Sequence, residues 1–144
     1  MEEIYHHALK LLQRRDYTEK QLREKLEAKF EDVPDEVYST LLSKRFLNDR
    51  RYAENFVTKH SESHPDHVKQ LLEDAGIPRE IASSAVEAVK WPSLRAVLKA
   101  KMLDWHFEPP LQRKDAARLF RALCRLGYSE DDVREEIEQL HEQQ

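Results

Sequence analysis

One short stretch of this chain occurs twice, and the second copy limits the folds that the chain can adopt. Residues 17–27 are YTEKQLREKLE and residues 128–138 are YSEDDVREEIE. Each copy places Thr18 or Ser129 where a helix can begin, because a hydroxyl oxygen can accept a hydrogen bond from the backbone of a first helical turn. Thr18 and Gln21 also have the spacing of a capping box. The two copies therefore predict two helices, each of which begins directly after a sharp turn.

Helical periodicity of the apolar residues extends along nearly the whole chain. Only two glycines are present, which favours helices over strands. Pro34, Pro65 and Pro78 stand where helices are expected to begin, and Gly76 and Gly127 stand where helices are expected to end. The pattern predicts nine helices, at about 3–15, 19–29, 34–45, 50–61, 65–75, 78–90, 93–106, 111–126 and 130–141.

These nine helices divide the 144 residues into three groups of about 45 residues each. A shift of 46 residues places Leu22 on Val68 and Leu26 on Leu72, which indicates a tandem repeat. Helical repeats of this size bury their apolar faces against neighbouring repeats. We therefore predict an all-α fold, an elongated curved array of three tandem three-helix repeats. The repeats are predicted at about 3–46, 48–90 and 92–142.

Charge is distributed unevenly along the chain, although the formal net charge is only −4. Residues 90–125 carry nine Lys and Arg against three acidic residues, a net charge of +6. Residues 128–144 carry seven acidic residues against Arg134, a net charge of −6. A basic segment beside an acidic one is typical of an interaction surface, and it also fits two solvated helices of opposite charge. The net negative charge disfavours simple tight binding to duplex DNA.

The predicted eighth helix carries four cations on one face, at spacings of i, i+4, i+7 and i+11. This basic stripe consists of Lys114, Arg118, Arg121 and Arg125. Four like charges repel each other unless opposite charges lie nearby. Phosphates or acidic side chains of a partner would supply those charges. Alternatively, the acidic ninth helix folds back and neutralises the stripe through Glu135, Glu136 or Glu138.

A second cationic cluster surrounds the predicted start of the fourth helix. Arg50 and Arg51 lie in its first turn and are candidate contacts for a partner. Lys44 and Arg45 end the third helix, where the helix dipole favours cations and is sufficient to explain them. Only Arg50 and Arg51 are therefore added to the candidate interaction residues.

Catalytic and metal-binding patterns are weak in this sequence. His60, His64 and His67 lie close together. However, Pro65 interrupts the helix that would align them and no second pair of ligands is evident, so we predict no metal site. Cys124 has no nucleophile motif around it and is interpreted as a reduced residue of a cytosolic protein. The absence of a P-loop, a Rossmann glycine pattern and a zinc-protease helix predicts no catalytic residue and no cofactor, and no apolar run reaches the length of a membrane span.

Four segments, in this order, resemble the signature segments of the RecX family of regulatory proteins. They are ALKLLQRRDYTEKQLREKL at 8–26, LNDRRYAENFV at 47–57, LLEDAGIPREIASSAV at 71–86 and RLFRALCRLGYSEDDVREEI at 118–137. Each segment alone is only a helix start, whereas four at the right spacing are specific. The resemblance covers about 4–140, and the chain is interpreted as a single RecX-like chain over 1–144. Arg45 stands near the position where the family usually has a glycine.

The resemblance implies a cytoplasmic bacterial protein of three tandem three-helix repeats. RecX proteins bind RecA recombinase, dock into the groove of its filament on single-stranded DNA, and restrain its ATPase and strand exchange. By this resemblance the chain is expected to be a non-enzymatic inhibitor of RecA in recombination, DNA repair and the SOS response. We expect it to be a monomer. Its contacts would come from the basic stripe, Arg50 and Arg51, with a weak contact to single-stranded DNA as a further possibility. Two alternatives stay open: a helical scaffold that binds another protein, and a protein that binds nucleic acid directly.

Overall fold

The computed structural model describes residues 1–142, and in this range the chain forms nine α-helices and no strand. The helices are α1 (Glu2–Arg14), α2 (Glu19–Lys29), α3 (Asp35–Ser43), α4 (Asp49–Lys59), α5 (Pro65–Asp74), α6 (Arg79–Glu87), α7 (Leu94–Asp104), α8 (Arg113–Arg125) and α9 (Glu130–Glu142). The predicted all-α class is confirmed, and each predicted helix occurs close to its expected bounds. Residues 143 and 144 of the predicted single chain lie outside the described range. None of the described helices is long and apolar enough to span a membrane.

The chain divides into two compact units, each with its own core. Unit 1 contains Met1–Lys59 and Lys69–Val89, and unit 2 contains His60–Val68 and residues 90–142. The core of unit 1 includes Ile4, Ala8, Leu11, Tyr17, Leu22, Leu26, Val37, Tyr38, Leu41 and Leu47. The core of unit 2 includes Val97, Leu98, Met102, Leu119, Leu123, Tyr128, Val133 and Leu140. Each large apolar side chain buried in this way contributes about 1.5–3 kcal/mol to folding.

Helix α2 begins with the capping box that the sequence predicts. The Thr18 hydroxyl oxygen accepts from the Gln21 N–H at 3.0 Å, and Gln21 Oε1 accepts from the Thr18 N–H at 3.1 Å. Asp49 Oδ1 accepts from the Glu19 N–H at 2.9 Å, so α4 satisfies a further donor of the same first turn. The start of α2 is therefore fixed both by its own sequence and by a distant residue.

Helix α9 begins in a similar but simpler way. The exposed Ser129 hydroxyl accepts from the Asp132 N–H at 3.2 Å. Because α2 is the second helix of the first predicted group and α9 is the third helix of the last, the repeated stretch does not mark equivalent positions in the groups. The stretch is a local signal for a helix that begins after a sharp turn.

Helices α3, α5 and α7 end in one kind of turn, with a residue at positive φ. These residues are Arg45 (φ 61°), Gly76 (φ 99°) and His106 (φ 58°). In each turn the next N–H donates to a carbonyl five residues back, as from Phe46 to Leu41 at 3.0 Å. The backbone at Arg45 therefore has the left-handed conformation that glycine favours, although the residue is arginine.

In unit 1, the end of α5 meets the start of α2 at what we call the first junction. The Thr18 hydroxyl donates to the Ala75 carbonyl at 2.6 Å, and Thr18 is fully buried. A Cβ on Gly76 would lie 2.5 Å from Lys20 Cβ, which is closer than real Cβ atoms approach. Gly76 is therefore required both by its positive φ and by the close approach of α2.

In unit 2, the end of α8 meets the start of α5 at the second junction. The His64 N–H donates to the Leu126 carbonyl at 2.8 Å. A Cβ on Gly127, whose φ is also 99°, would overlap with His67 Cβ. The Tyr128 hydroxyl donates to the Glu62 carbonyl at 3.3 Å beside this contact. The second junction thus has the same glycine arrangement as the first but different hydrogen-bond donors.

Candidate interaction surface

The basic stripe lies on the exposed face of α8. Lys114, Arg118, Arg121 and Arg125 are all exposed. The opposite face of α8 buries Leu119 and Leu123 in the core of unit 2, where α8 packs against α7 and α9. From Lys114 to Arg125 the stripe extends about 16 Å along the helix axis. A periodic pattern of core residues thus holds four cations outward on one rigid helix.

The acidic side chains of α9 do not pair with this stripe. Glu136 Oε2 lies 3.1 Å from Arg95 Nε on α7, and Glu135 Oε1 accepts from the Gln139 amide at 3.5 Å. In the described part of the chain, no ion pair joins any cation of the basic stripe to a carboxylate. The internal neutralisation considered from the sequence is therefore not found among residues 1–142.

One member of the stripe has an aromatic neighbour instead. The Arg118 guanidinium lies 4.1 Å from the centre of the Trp105 ring and 6.0 Å from that of Phe107. Lys101 Nζ lies 5.5 Å from the Trp105 ring and also pairs with Glu62 at 3.2 Å. Cation–π contacts of this kind contribute about 0.5–1 kcal/mol at exposed sites. Arg118 therefore has a structural role in addition to its place in the stripe.

The helix dipole affects the other three cations of the stripe differently. Arg125 lies in the last turn of α8, where the partial negative charge of the helix end favours a cation. Lys114 lies in the first turn, where the partial positive charge disfavours it, and Arg121 lies in between. Lys114 and Arg121 therefore have the least internal compensation and are the strongest candidates for contact with a partner.

The two arginines at the start of α4 differ in their surroundings. Arg51 donates to the Arg45 carbonyl at 2.7 Å and to the Phe46 carbonyl at 3.3 Å. These bonds close the turn between α3 and α4, and they are sufficient to explain Arg51. Arg50 is exposed and makes no ion pair with the described residues. Arg50 is therefore the better candidate of the two.

His64 and His67 take part in helix capping and packing, and Cys124 is not an activated thiol. His64 Nδ1 accepts from the Asp66 N–H at 3.1 Å at the start of α5, and the His67 side chain contacts Gly127. Among residues 1–142, no group of three or more His, Cys, Asp or Glu side chains could hold a metal ion. Burial raises the pKa of the Cys124 thiol and nearby Glu130 raises it further, although Arg134 opposes them. A thiol with a raised pKa is a poor nucleophile at neutral pH.

These features define a class of protein: an all-helical protein that presents a cationic helix face. The protein-family model described as the first three-helix domain of RecX matches residues 5–37. The regulatory protein RecX from each of two strains of Thermus thermophilus is 30% identical to this chain over 124 residues, which are 85% of this chain and 81% of each relative. The chain belongs to the RecX family.

A solved structure supports the same fold. The crystal structure of RecX from Lactobacillus salivarius matches this chain with a TM-score of 0.63 at 22% identity, over 96% of this chain and 95% of that one. The predicted tandem three-helix organisation agrees with this match. The boundaries of the three repeats and the curvature of the array stay predictions.

Proposed function

We propose that this chain is a non-enzymatic regulator that binds RecA and inhibits its ATPase and strand exchange in recombination and DNA repair. It acts as a monomer in the bacterial cytoplasm, on RecA assembled on single-stranded DNA. Membership of a family of regulatory proteins supports the regulatory role. The inhibitory direction and the identity of the partner come from the family resemblance of the sequence.

The exposed basic stripe is the observation that carries this proposal. Its cations are held on one face of α8, and the acidic residues of α9 leave them without ion pairs in the described structure. Charge-assisted hydrogen bonds to carboxylates or phosphates are the contacts that best complete such a face. A filament presents the same groups repeatedly, so contacts that are weak individually can add up to firm binding.

The decisive experiment measures ATP hydrolysis by RecA from the same genome on single-stranded DNA, with increasing amounts of this protein. Inhibition is expected at substoichiometric ratios. The double variant Lys114→Glu/Arg121→Glu is expected to raise the half-inhibitory concentration at least about tenfold, since each lost charge-assisted contact is worth about 1.5 kcal/mol or more. Arg118 is left unchanged, because its reversal would also remove the contact with Trp105.

The matched control is Lys90→Glu/Lys99→Glu, which makes the same change in net charge on exposed residues of unit 2. This control should inhibit RecA like the unaltered protein. If both double variants inhibit RecA equally, the basic stripe is not the contact surface. If the unaltered protein has no effect on the ATPase, the chain does not regulate RecA.

Two further arms separate the alternatives. A direct nucleic-acid binder would raise the fluorescence anisotropy of labelled single-stranded DNA without RecA, and this binding would weaken steeply with salt. A scaffold for another protein would change neither the anisotropy nor the ATPase. A RecA regulator is expected to change the ATPase and to give at most weak anisotropy.

A further inference from the structure

Unit 1 contains a groove that no function discussed above uses. One face of α1 lines two cavities, of about 200 and 290 Å³. Tyr5, Leu9 and Leu12 share that face, since they are spaced by four and three residues, whereas Met1 precedes α1 and Asp16 follows it. The two cavities follow one another along α1, and we call them together the α1 groove. Its opposite wall is formed by α3 and by the turn between α3 and α4.

The floor of the α1 groove is apolar and partly open to water. Tyr5, Leu9 and Leu12 of α1 are half-buried, and Val37 of α3 contributes beside Tyr5. Phe46 of the opposite wall keeps 45% of its surface exposed. Large apolar side chains exposed along a groove are typical of sites that bind another chain. The row of α1 residues repeats with helical spacing, so a second helix would fit against it.

Charged residues divide the α1 groove into three parts. Glu2 and Glu36 stand at the end where α1 begins, with Lys44 next to them over the Tyr5 ring. Arg45 and Arg51 follow along the groove. Asp16 lies at the other end. The order along the groove is therefore acidic, basic in the middle, and acidic again.

We propose that the α1 groove binds an amphipathic helix of a partner protein, oriented antiparallel to α1. The carboxylates of such a helix would face Lys44 and Arg45, and a cation in its last turn would face Glu2 and Glu36. The partial positive charge at its N-terminus would face Asp16, which fixes the direction. This arrangement is also the one that helices prefer internally, with acidic residues early and basic residues late. The proposal does not depend on RecA.

The length of the groove sets the length of the partner helix. Helix α1 has 13 residues, which correspond to about 20 Å, so a second helix of about 13 residues would match its length. An apolar stripe on that helix at spacings of i, i+4, i+7 and i+11 would cover the apolar floor.

Two synthetic peptides of this length test the proposal with the full chain. Both carry the same leucine stripe and the same composition, but one has Glu in its first half and Lys in its last turn, whereas the other has these charges exchanged. In fluorescence polarisation at low salt, the first peptide is expected to bind at least about tenfold more tightly, a difference of about 1.4 kcal/mol. Equal affinities, or no saturable binding of either peptide, would overturn the proposal.

Matched variants locate the binding. Phe46→Ser is expected to weaken binding of the first peptide about tenfold. Leu42→Ser is the control, because Leu42 is similarly exposed, at 41%, but does not line the groove. Equal losses from both variants would contradict the assigned site. Sedimentation of the chain alone tests a second copy as the occupant: a dimer that Phe46→Ser dissociates would replace the proposed partner.

Discussion

The two junctions have the same packing but different hydrogen-bond donors. In each, a helix ends at a glycine that lies against the first turn of another helix, and the carbonyl just before the glycine accepts a hydrogen bond from the residue that caps this helix. At the first junction the donor is the hydroxyl of Thr18. At the second junction the donor is the backbone N–H of His64. The glycine and the carbonyl are common to both, whereas the donor is exchangeable.

This difference explains why His64 can occupy the position at the second junction that Thr18 occupies at the first. Any residue except proline supplies an N–H, so the bond to the Leu126 carbonyl does not depend on the side chain at position 64. The side chain of His64 instead caps α5 through Nδ1 and contacts the Tyr128 ring edge-on, with 5.3 Å between the ring centres. The close approach of the helices is thus the more demanding requirement. Substitutions can test this order of importance.

The largest effect is expected when either junction glycine is replaced by alanine. Gly127→Ala and Gly76→Ala should each reduce the free energy of unfolding by about 3 kcal/mol, since a positive φ and an overlap between Cβ atoms act together. Urea unfolding followed by far-UV circular dichroism measures the loss. Arg45→Ala is the control, because Arg45 has a positive φ without a junction, and it should cost little. A loss of only about 1 kcal/mol for both glycines would mean that close approach is unimportant.

A smaller loss is expected at the first junction when its donor is removed. Thr18→Ala should reduce the free energy of unfolding by about 2 kcal/mol, because it removes a helix cap and leaves the half-buried Ala75 carbonyl without its donor. Thr18→Ser retains the hydroxyl and should retain most of the stability. The same urea titrations compare the two variants. If Thr18→Ser is as unstable as Thr18→Ala, methyl packing rather than hydrogen bonding holds this junction.

The matching substitution at the second junction is expected to cost less. His64→Ala should reduce the free energy of unfolding by about 1 kcal/mol, because the cap of α5 is lost while the bond from the backbone N–H to Leu126 remains. Tryptophan fluorescence during unfolding is a suitable signal, since both tryptophans belong to unit 2. A loss equal to that of Thr18→Ala would show that the two junctions depend on their side chains to the same extent.

The smallest change is expected at a left-handed turn outside the junctions, and it has the opposite sign. Arg45→Gly should stabilise the protein by about 0.5 kcal/mol, because relief of the left-handed strain slightly exceeds the added entropy of the unfolded chain. The urea midpoint should rise without a change in slope. A decrease would indicate that the arginine side chain contributes contacts that outweigh the strain.

The structural features that the sequence predicts best are those that depend on residues close together in the chain. The capping box of Thr18 and Gln21 and the stripe on α8 were predicted correctly as local features, because both follow from spacing within one helix. The bond between Thr18 and Ala75 joins residues 57 positions apart, and no periodicity reveals it. The repeated stretch likewise indicated two helix starts correctly, because a helix cap and the turn before it are local.

The candidate site was predictable only in part, for the same reason. Spacing placed Lys114, Arg121 and Arg118 on one face, whereas the contact of Arg118 with Trp105 depends on how α7 and α8 pack. The bonds from Arg51 to two carbonyl groups depend on the path of the turn before α4. The α1 groove was missed because half-buried residues such as Leu9 and Leu12 have the same periodicity as core residues.

The contact between Arg118 and Trp105 gives the protein an intrinsic optical signal. A guanidinium 4.1 Å from the centre of an indole ring alters the electric field in which the indole emits. A ligand that draws Arg118 away from the ring would therefore shift the emission of Trp105, with Trp91 as the second indole in the spectrum. Occupancy of the α8 face can thus be followed in solution, in real time and without a label.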